Sequence, residues 1–567
     1  MAFLVQDPRT VPIQGYYRSV PVPPRTGYMM TSVGPGSATA RRVQGSVTAP
    51  MVRAPMTVRS PVLTSSTRIV PNAVASVPVK PMPAFPFEDA AVLYEDPAFR
   101  VDLIKLCHAH GIVTYPDPVK PMSPCLAPIG MFPAPFSKAR FDEVRGLGPA
   151  FNNLIDACSC DPKWLCESLQ TTAEHDPFTA KFVELCRKVY INGGKEHSSD
   201  LRAYLLRQDY LLHDVNEGRI LQVEVNTISS AFAGLIEELS KVQRIMGQKY
   251  LPDIVGSLPQ ANQCGTGFAK ALSNAHRAYQ ARYRPARKTV VLFLVLDTER
   301  NEIDQRKLEI GLANEGVTCR RRSLDDLVDS SRLDGDCFVF LDGSDEVEVS
   351  VVYMRSGYGP ENYEGEGTWD VRERFEWSRA AKCPSVPAQL TGTKRVQQLW
   401  ADPAVLTKFG VDAGIRQRMA RVFARQVNPA AKDEKSQAVV REAQDDPSRW
   451  VLKPQREGGG HNLHGEQIQE ALSKDDCGQY VLMEKICPAP HQAAMVDQAK
   501  SVATGDLETR WIDKAVSELG IYTVVVADGR RRVQSDVVGH MLRTKDQSTS
   551  EGGVNAGFAV LNTPVFQ

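Results

Sequence analysis

Apolar and polar residues alternate over Ile220-Leu221-Gln222-Val223-Glu224-Val225-Asn226. That period of two predicts a strand with Glu224 and Asn226 on one face and Val223 and Val225 on the other. Thr289 to Leu296 is apolar without a break, the mark of a strand buried on both faces. A helix-like stretch from Asp304 to Glu315, stopped by Gly316, leads to the apolar runs Cys337–Leu341 and Val349–Met354. Strand, helix and strand together predict a small α/β domain over about 290–393. Upstream, Asp176-Pro177 precedes Phe178, Phe182, Val183, Leu185 and Cys186, which predicts an amphipathic helix with Asp at the N-cap and Pro at its first position. Helices dominate 88–289. The last part, 394–567, has apolar runs at Trp450–Leu452, Tyr480–Met483 and Gly520–Val526 and reads as strand-rich with intervening helices. No internal repeat is visible.

Residues 1–87 break the pattern. Asp7 is their only acidic residue, and Arg, Ser, Thr, Val and Pro recur, so the segment reads as a disordered leader that cannot bury enough apolar surface to offset its ordering entropy. Its Arg- and Ser-rich composition fits an organellar transit peptide, but the prolines disfavour the amphipathic helix such a peptide needs. A cytoplasmic location is therefore expected. The whole chain, 567 residues, exceeds what one core usually supports. Its 67 basic residues balance 67 acidic ones, which removes the footprint of a nucleic-acid binder, and no run reaches the ~20 apolar residues of a membrane span. The 12 cysteines contain no C-x-x-C, so reduced thiols are expected rather than a zinc or disulfide framework.

Chemistry concentrates in Lys453-Pro454-Gln455-Arg456-Glu457-Gly458-Gly459-Gly460-His461-Asn462, directly after an apolar strand. Three successive glycines suit a loop that moves or lets backbone approach a ligand, and exposed N–H groups can meet phosphate oxygens. Lys453 supplies a compact positive charge and Glu457 an oxygen ligand for Mg2+. The pattern is not a Walker A loop. Two histidines, His461 and His464, stand at i, i+3 on this loop, too poorly preorganised to argue for a zinc site.

The string resembles the glycine-rich lid of eukaryotic-type glutathione synthetases, in the ATP-grasp superfamily. Collinear matches extend the resemblance over about 90–567. They are Gln222 to Ser229, Glu299-Arg300-Asn301 with Asp304-Gln305-Arg306, Arg355-Ser356-Gly357-Tyr358, Gly392-Thr393-Lys394, Met483-Glu484-Lys485-Ile486, Ser517 to Gly520, Gly539 to Lys545, and Gly552-Gly553-Val554. It implies an α/β ATP-grasp fold with an inserted small α/β substrate-binding domain at 290–393, and a homodimer that joins glycine to γ-glutamylcysteine with ATP and Mg2+.

The same resemblance implies roles. Glu224, Asn226 and Glu457 are the Mg2+ ligands, and Lys394 and Lys453 the phosphate contacts. Residues 453–462, His464, the hinge Met483–Ile486, Glu518, Lys545 and Glu551 line the nucleotide. Arg207, Ile228, Ser229, Ser230, Ala231, Glu299, Arg300, Asn301, Gln305, Arg355, Ser356, Gly357, Tyr358, Arg543, Val554 and Asn555 line dipeptide and glycine. Arg207, Arg543, Lys453 and Gly459 are expected to act in catalysis. Arginine forks suit the substrates' carboxylates, and Glu299 suits an ammonium. Ser356, His461, His464, Glu551 and Asn555 depart from the family's usual residues, and Asn555 is expected to narrow the acceptor pocket. A β-alanine or polyamine ligase, or an inactive nucleotide-binding homologue, are the competing readings.

Overall fold

The computed structural model describes residues 89–117, 119–120, 122–213, 218–455, 461–474, 477–550, 552–555 and 557–567. The expected leader, Arg456, Glu457, Gly458, Gly459, Gly460 and Glu551 lie outside the described residues. Helix α1 (Pro177–Cys186) forms as the sequence predicts: Asp176 accepts from the Thr179 amide, and Phe182, Val183, Leu185 and Cys186 are buried.

A twelve-stranded sheet organises the molecule. Its strands and principal helices, in chain order, are β1 (Leu201–His213), β2 (Arg219–Asn226), α2 (Ala233–Tyr250), α3 (Cys264–Tyr283), β3 (Thr289–Leu294), α4 (Glu302–Asn314), β4 (Cys319–Arg322), β5 (Ser331–Asp334), β6 (Cys337–Asp342), β7 (Asp345–Met354) and β8 (Ala381–Cys383). Helix α5 (Lys394–Leu399) follows, then a separate three-stranded sheet of β9 (Gln426–Val427), β10 (Trp450–Pro454) and β11 (Tyr480–Glu484). β12 (His491–Val496), β13 (Thr509–Asp528), β14 (Arg531–Asp546) and β15 (Val560–Asn562) complete the large sheet.

The main path runs β15-β14-β13-β1-β8-β7-β3-β4. β13, β14 and β1 pair antiparallel, whereas β8, β7, β3 and β4 are parallel, as the unbroken apolar run of β3 predicts. The stretch 290–393 thus extends the large sheet: β8 joins the start of β1 at Arg202–Lys382, and β2 covers the rest of that edge from Arg207 to His213. The carboxyl ends of β1, β3 and β7 consequently point the same way, where ligands gather in parallel sheets.

Strand periodicity divides the core in two. Val290, Leu292 and Leu294 of β3 enter one apolar cluster, and Val291 and Phe293 enter the other. On β1, Ala203 and Leu205 face the second cluster beneath α2 and α3, while Tyr204 and Leu206 face the first. Among the described residues no helix is long and apolar enough to cross a membrane.

Candidate active site

Arg207 and Asp209 continue the Ala203, Leu205 face of β1, which therefore changes from apolar to charged partway along the strand. Asp209 is fully buried and accepts from Arg207 through both carboxylate oxygens, Nε to Oδ1 at 2.7 Å and Nη2 to Oδ2 at 2.8 Å. Antiparallel pairing brings Asn226 opposite Arg207 and Glu224 opposite Asp209. A bulge at Val223 interrupts the register just before Glu224, leaving Glu224 and Asn226 on one face as their alternation predicts.

Two further strands complete this face. Arg543 of β14 donates to Asp209 Oδ2 at 2.9 Å and also pairs with Glu518 of β13. Gly520 sits opposite Asp209 on β13. A Cβ there would lie 2.9 Å from Arg207 Cδ and 3.0 Å from Asp209 Oδ1, so only glycine leaves room for the pair.

The lysines come from outside the sheet. Thr393 caps α5, and Gln397 on the same helix accepts from the Val225 amide and donates to its carbonyl, at 2.7 and 3.0 Å. This side chain mimics a neighbouring strand along β2 and sets Lys394 Nζ 3.0 Å from Glu224 Oε2. Lys453, near the end of β10, donates to the Val223 carbonyl at 2.8 Å. Burial works to raise the Glu224 carboxyl, but Lys394, Lys453 and Arg543 outweigh it and hold Glu224 below the usual carboxylate range. Burial lowers the Lys453 ammonium, with Glu224 opposing and Lys394 adding; it also raises the Glu518 carboxyl against Arg543. Asn226 donates through Nδ2 to Asp209 and to the Arg207 carbonyl, so Oδ1 is the atom it can offer a cation.

A second wall forms beyond the carboxyl ends of β3 and β7. Glu299 accepts from the Asn301 amide and from Gln305 Nε2. Arg355 is buried with Nε and Nη1 unpartnered among the described residues, as are Ser356 Oγ and both amide atoms of the fully buried Asn301. Orphaned polar atoms are costly in an interior, and several in one place mark a surface built for a polar ligand. Ser229, at φ +51°, donates to the Arg355 carbonyl, and Ser230 donates to Leu205 and Asn226 carbonyls. The Ala231 carbonyl accepts from Tyr522. This loop is anchored by Asp304, which caps the start of α2 through the amides of Phe232, Gly234 and Leu235. Gly357, at φ +87°, and Tyr358 both donate from their amides to Asn362 Oδ1. A narrow cleft between α1 and α5 is lined by Phe178, Phe182, Ile228, Tyr358, Lys394 and Gln455.

Arg300 closes a third side, donating to the Asn555 carbonyl at 2.9 Å and to Gln498 at 3.3 Å. Val554 is buried, while Asn555 is exposed and meets Arg300 through backbone. Asn555, expected to narrow the acceptor pocket, is an exposed residue next to the buried Val554.

The nucleotide-side residues group less tightly. Met483 joins Leu221, Ala424 and Val451 in a small buried cluster against which Ile486 packs, a flat apolar wall between β2 and the three-stranded sheet. A cleft of about 280 Å³ beside it is lined by Leu221, Ala424, Glu484 and Lys485. Glu484 pairs with Arg449, and the Lys485 amide donates to the Arg449 carbonyl. Leu463 bonds back to Leu452 of β10 through both backbone groups, which returns Asn462 and His464 alongside Lys453. Exposed His461 lines a shallow cleft with Pro454 and Gln455. Lys545 donates to the Ser550 carbonyl at the rim.

Sequence reasoning did not find Asp209, Gln397 or the apolar Leu221, Ala424 and Val451, and it quoted Asp304 and Gly520 inside motifs without giving either a role. Arg-x-Asp on one strand was a usable signal for Asp209; the others depend on tertiary pairing.

Comparison with known proteins identifies the family. A family model for the eukaryotic glutathione synthase, ATP binding domain, matches residues 98–566. Glutathione synthetase of Xenopus laevis is 33% identical over 449 residues, covering 77% of this chain and 90% of the frog protein. The human protein is 32% identical over 471 residues, with 80% and 94% covered. The chloroplastic glutathione synthetase of Solanum lycopersicum is 34% identical over 448 residues, 77% of each chain. Among solved structures, a glutathione synthetase-like effector from Globodera pallida superposes with a TM-score of 0.63 at 20% identity, covering 84% of this chain and 99% of that one, a likeness of fold. With the match spanning every strand of the charged face and its lysines, the chain belongs to the eukaryotic glutathione synthase family, ATP-dependent ligases of mixed α/β, ATP-grasp architecture.

Proposed function

We propose that the chain joins the amine of glycine to the cysteinyl carboxylate of γ-glutamylcysteine, with ATP supplying the driving force and glutathione, ADP and phosphate as products. The observation that carries this reading is the meeting of Arg207, Arg543, Lys394 and Lys453 with Glu224 and Asn226 on one face, beside a wall of orphaned donors at Arg355 and Asn301.

A carboxylate and an amine do not condense unaided in water. A cysteinyl carboxylate oxygen attacks the γ-phosphorus, the bond to ADP breaks, and an acyl phosphate forms. Lys394 and Lys453 offset the charge on the transferring group. The glycine amine then adds to the acyl carbon, and collapse of the tetrahedral species expels phosphate, with which the amine proton leaves. Arg207 commits Nε and Nη2 to Asp209 and presents its remaining Nη1 donors to the oxyanion. Glu299 receives the substrate ammonium, and Arg355 and Arg300 receive carboxylates. Ionised Glu224 and Asn226 Oδ1 suit a hard cation, and with Glu457 would hold Mg2+, which supplies charge neutralisation at the nucleotide phosphates. The glycine-rich stretch around Gly459 is read as the lid that shields the acyl phosphate from water.

By family, a cytoplasmic homodimer is proposed, with 290–393 as the dipeptide-binding part and 394–567 as the nucleotide part. The decisive assay measures ADP release and glutathione formation with γ-glutamylcysteine, with and without glycine. Absence of glutathione with all three substrates and Mg2+ present would overturn the reading.

A further inference from the structure

Four hydrogen bonds converge on one buried carboxylate. Asp209 accepts two from Arg207, one from Arg543 Nη2 at 2.9 Å and one from Asn226 Nδ2 at 3.0 Å. These three side chains come from three different strands, β1, β14 and β2. A single anion placed between two guanidiniums offsets their mutual repulsion and fixes the plane of each fork. It also fixes the Asn226 amide, since Nδ2 must face Asp209 and Oδ1 must face away. Asp209 is buried where the apolar face of Ala203 and Leu205 has given way to charged residues.

We propose that Asp209 is the positioning residue of the ligation step: it aims Arg207 at the tetrahedral oxyanion and simultaneously sets the Asn226 carbonyl oxygen and Arg543. The proposal rests on the reading of Arg207 given above. Asp209 touches no substrate and acts through the groups it holds. Asp209→Asn keeps the volume but replaces one acceptor oxygen with an N–H group facing donors, so the forks lose their common anchor. Asp209→Glu keeps the charge and displaces it by one methylene.

The test is a double-mutant cycle on the full chain with Asp209→Asn, Arg207→Lys and the combination, plus Asp209→Glu. Steady-state kcat, KM for ATP and for γ-glutamylcysteine, and the ratio of ADP released to glutathione formed are measured. Asp209→Asn should lower kcat by about 100-fold, the scale of one lost oxyanion donor, with the KM for ATP within about threefold of wild type. It should also raise the ADP-to-glutathione ratio, because an acyl phosphate not captured by glycine hydrolyses. Asp209→Glu should recover part of kcat. In the cycle, adding Asp209→Asn to Arg207→Lys should cost less than about threefold more, since both changes remove the same interaction. Multiplicative losses, a wild-type kcat in Asp209→Asn, or a loss confined to thermal stability would each overturn the proposal. Should Asp209→Asn fail to fold, the same cycle with Asp209→Glu decides by the same criterion. A wild-type chain that forms no glutathione would instead overturn the functional reading, so the two failures are distinguishable.

Discussion

Replacing Gly520 with alanine adds one methyl group at the most crowded point of the charged face. The new Cβ would lie 2.9 Å from Arg207 Cδ, 3.0 Å from Asp209 Oδ1 and 3.0 Å from Met541 Cγ. None of these neighbours yields freely. Arg207 Cδ belongs to a chain whose far end is clamped by two hydrogen bonds, Asp209 is held by four, and Met541 is fully buried. Overpacking of this kind costs about 1–3 kcal/mol when the surroundings shift to accommodate it. The shift falls on Arg207, the arginine proposed to face the reacting carbon, and a displacement of about 1 Å can cost roughly 100-fold in rate. Gly520→Ala should therefore lower Tm by a few degrees and reduce kcat by about 10- to 100-fold, with the KM for ATP little changed because the lysines are untouched. Differential scanning fluorimetry and a coupled ADP assay read the two effects. Wild-type kcat in a variant of lowered Tm would refute the link between this glycine and arginine placement; no change in either would refute the crowding itself.

His540 offers a stability test. Burial, with Arg145 adding, pushes its imidazole down to about 3, whereas an unfolded histidine titrates near ~6.5. Between those values the unfolded chain binds a proton that the native chain does not, so native stability falls as pH drops, by up to about 1.4 kcal/mol per unit. His540→Leu should flatten that decline in urea titrations at pH 7.5 and 5; parallel losses in both proteins would contradict the assignment. Glu457→Gln should lose most activity at saturating Mg2+ without a change in Tm, and near-normal activity would remove Glu457 from the ligand set. Glycine should exceed β-alanine in kcat/KM by about 10- to 200-fold, the discrimination one methylene permits. Because Asn555 is exposed, Asn555→Ala should leave that ratio within about threefold, whereas a collapse of the ratio would show that its side chain guards the pocket.

The chain announced its strands wherever hydrophobicity had a clean period. β2, β3 and α1 were readable from alternation, from an unbroken run and from an Asp-Pro cap. β1 was not: Leu201 to His213 mixes apolar, aromatic and charged residues because it is buried over its first ten residues and carries the charged pair Arg207 and Asp209 within that stretch. Missing that strand hid the pairing of Arg207 with Asp209. Glu224 and Asn226 could be placed together from sequence because their relation is local, but the approach of Lys394 depends on Gln397 docking along β2 across about 170 residues. Motif resemblance reached Arg543 and Glu518 without explaining them; their neighbours become evident only when β13 and β14 lie beside β1. His540, inside the same motif, is core: its ring packs edge-on against Phe141.

The pairing of β1 with β13 has a consequence for how the protein is made. Leu211 is registered with Glu518, about 300 residues later in synthesis. At roughly 5–20 residues per second, a ribosome takes about 15–60 s to supply the partner. Through that interval the nascent chain carries β1 with one long edge unpaired and Arg207 and Asp209 deprived of Arg543. The parallel strands around β3 can settle early, but the central edge must wait. Chaperone engagement should therefore fall on chains arrested between β2 and β13, and premature stop codons before Arg543 should yield insoluble products rather than weak enzymes.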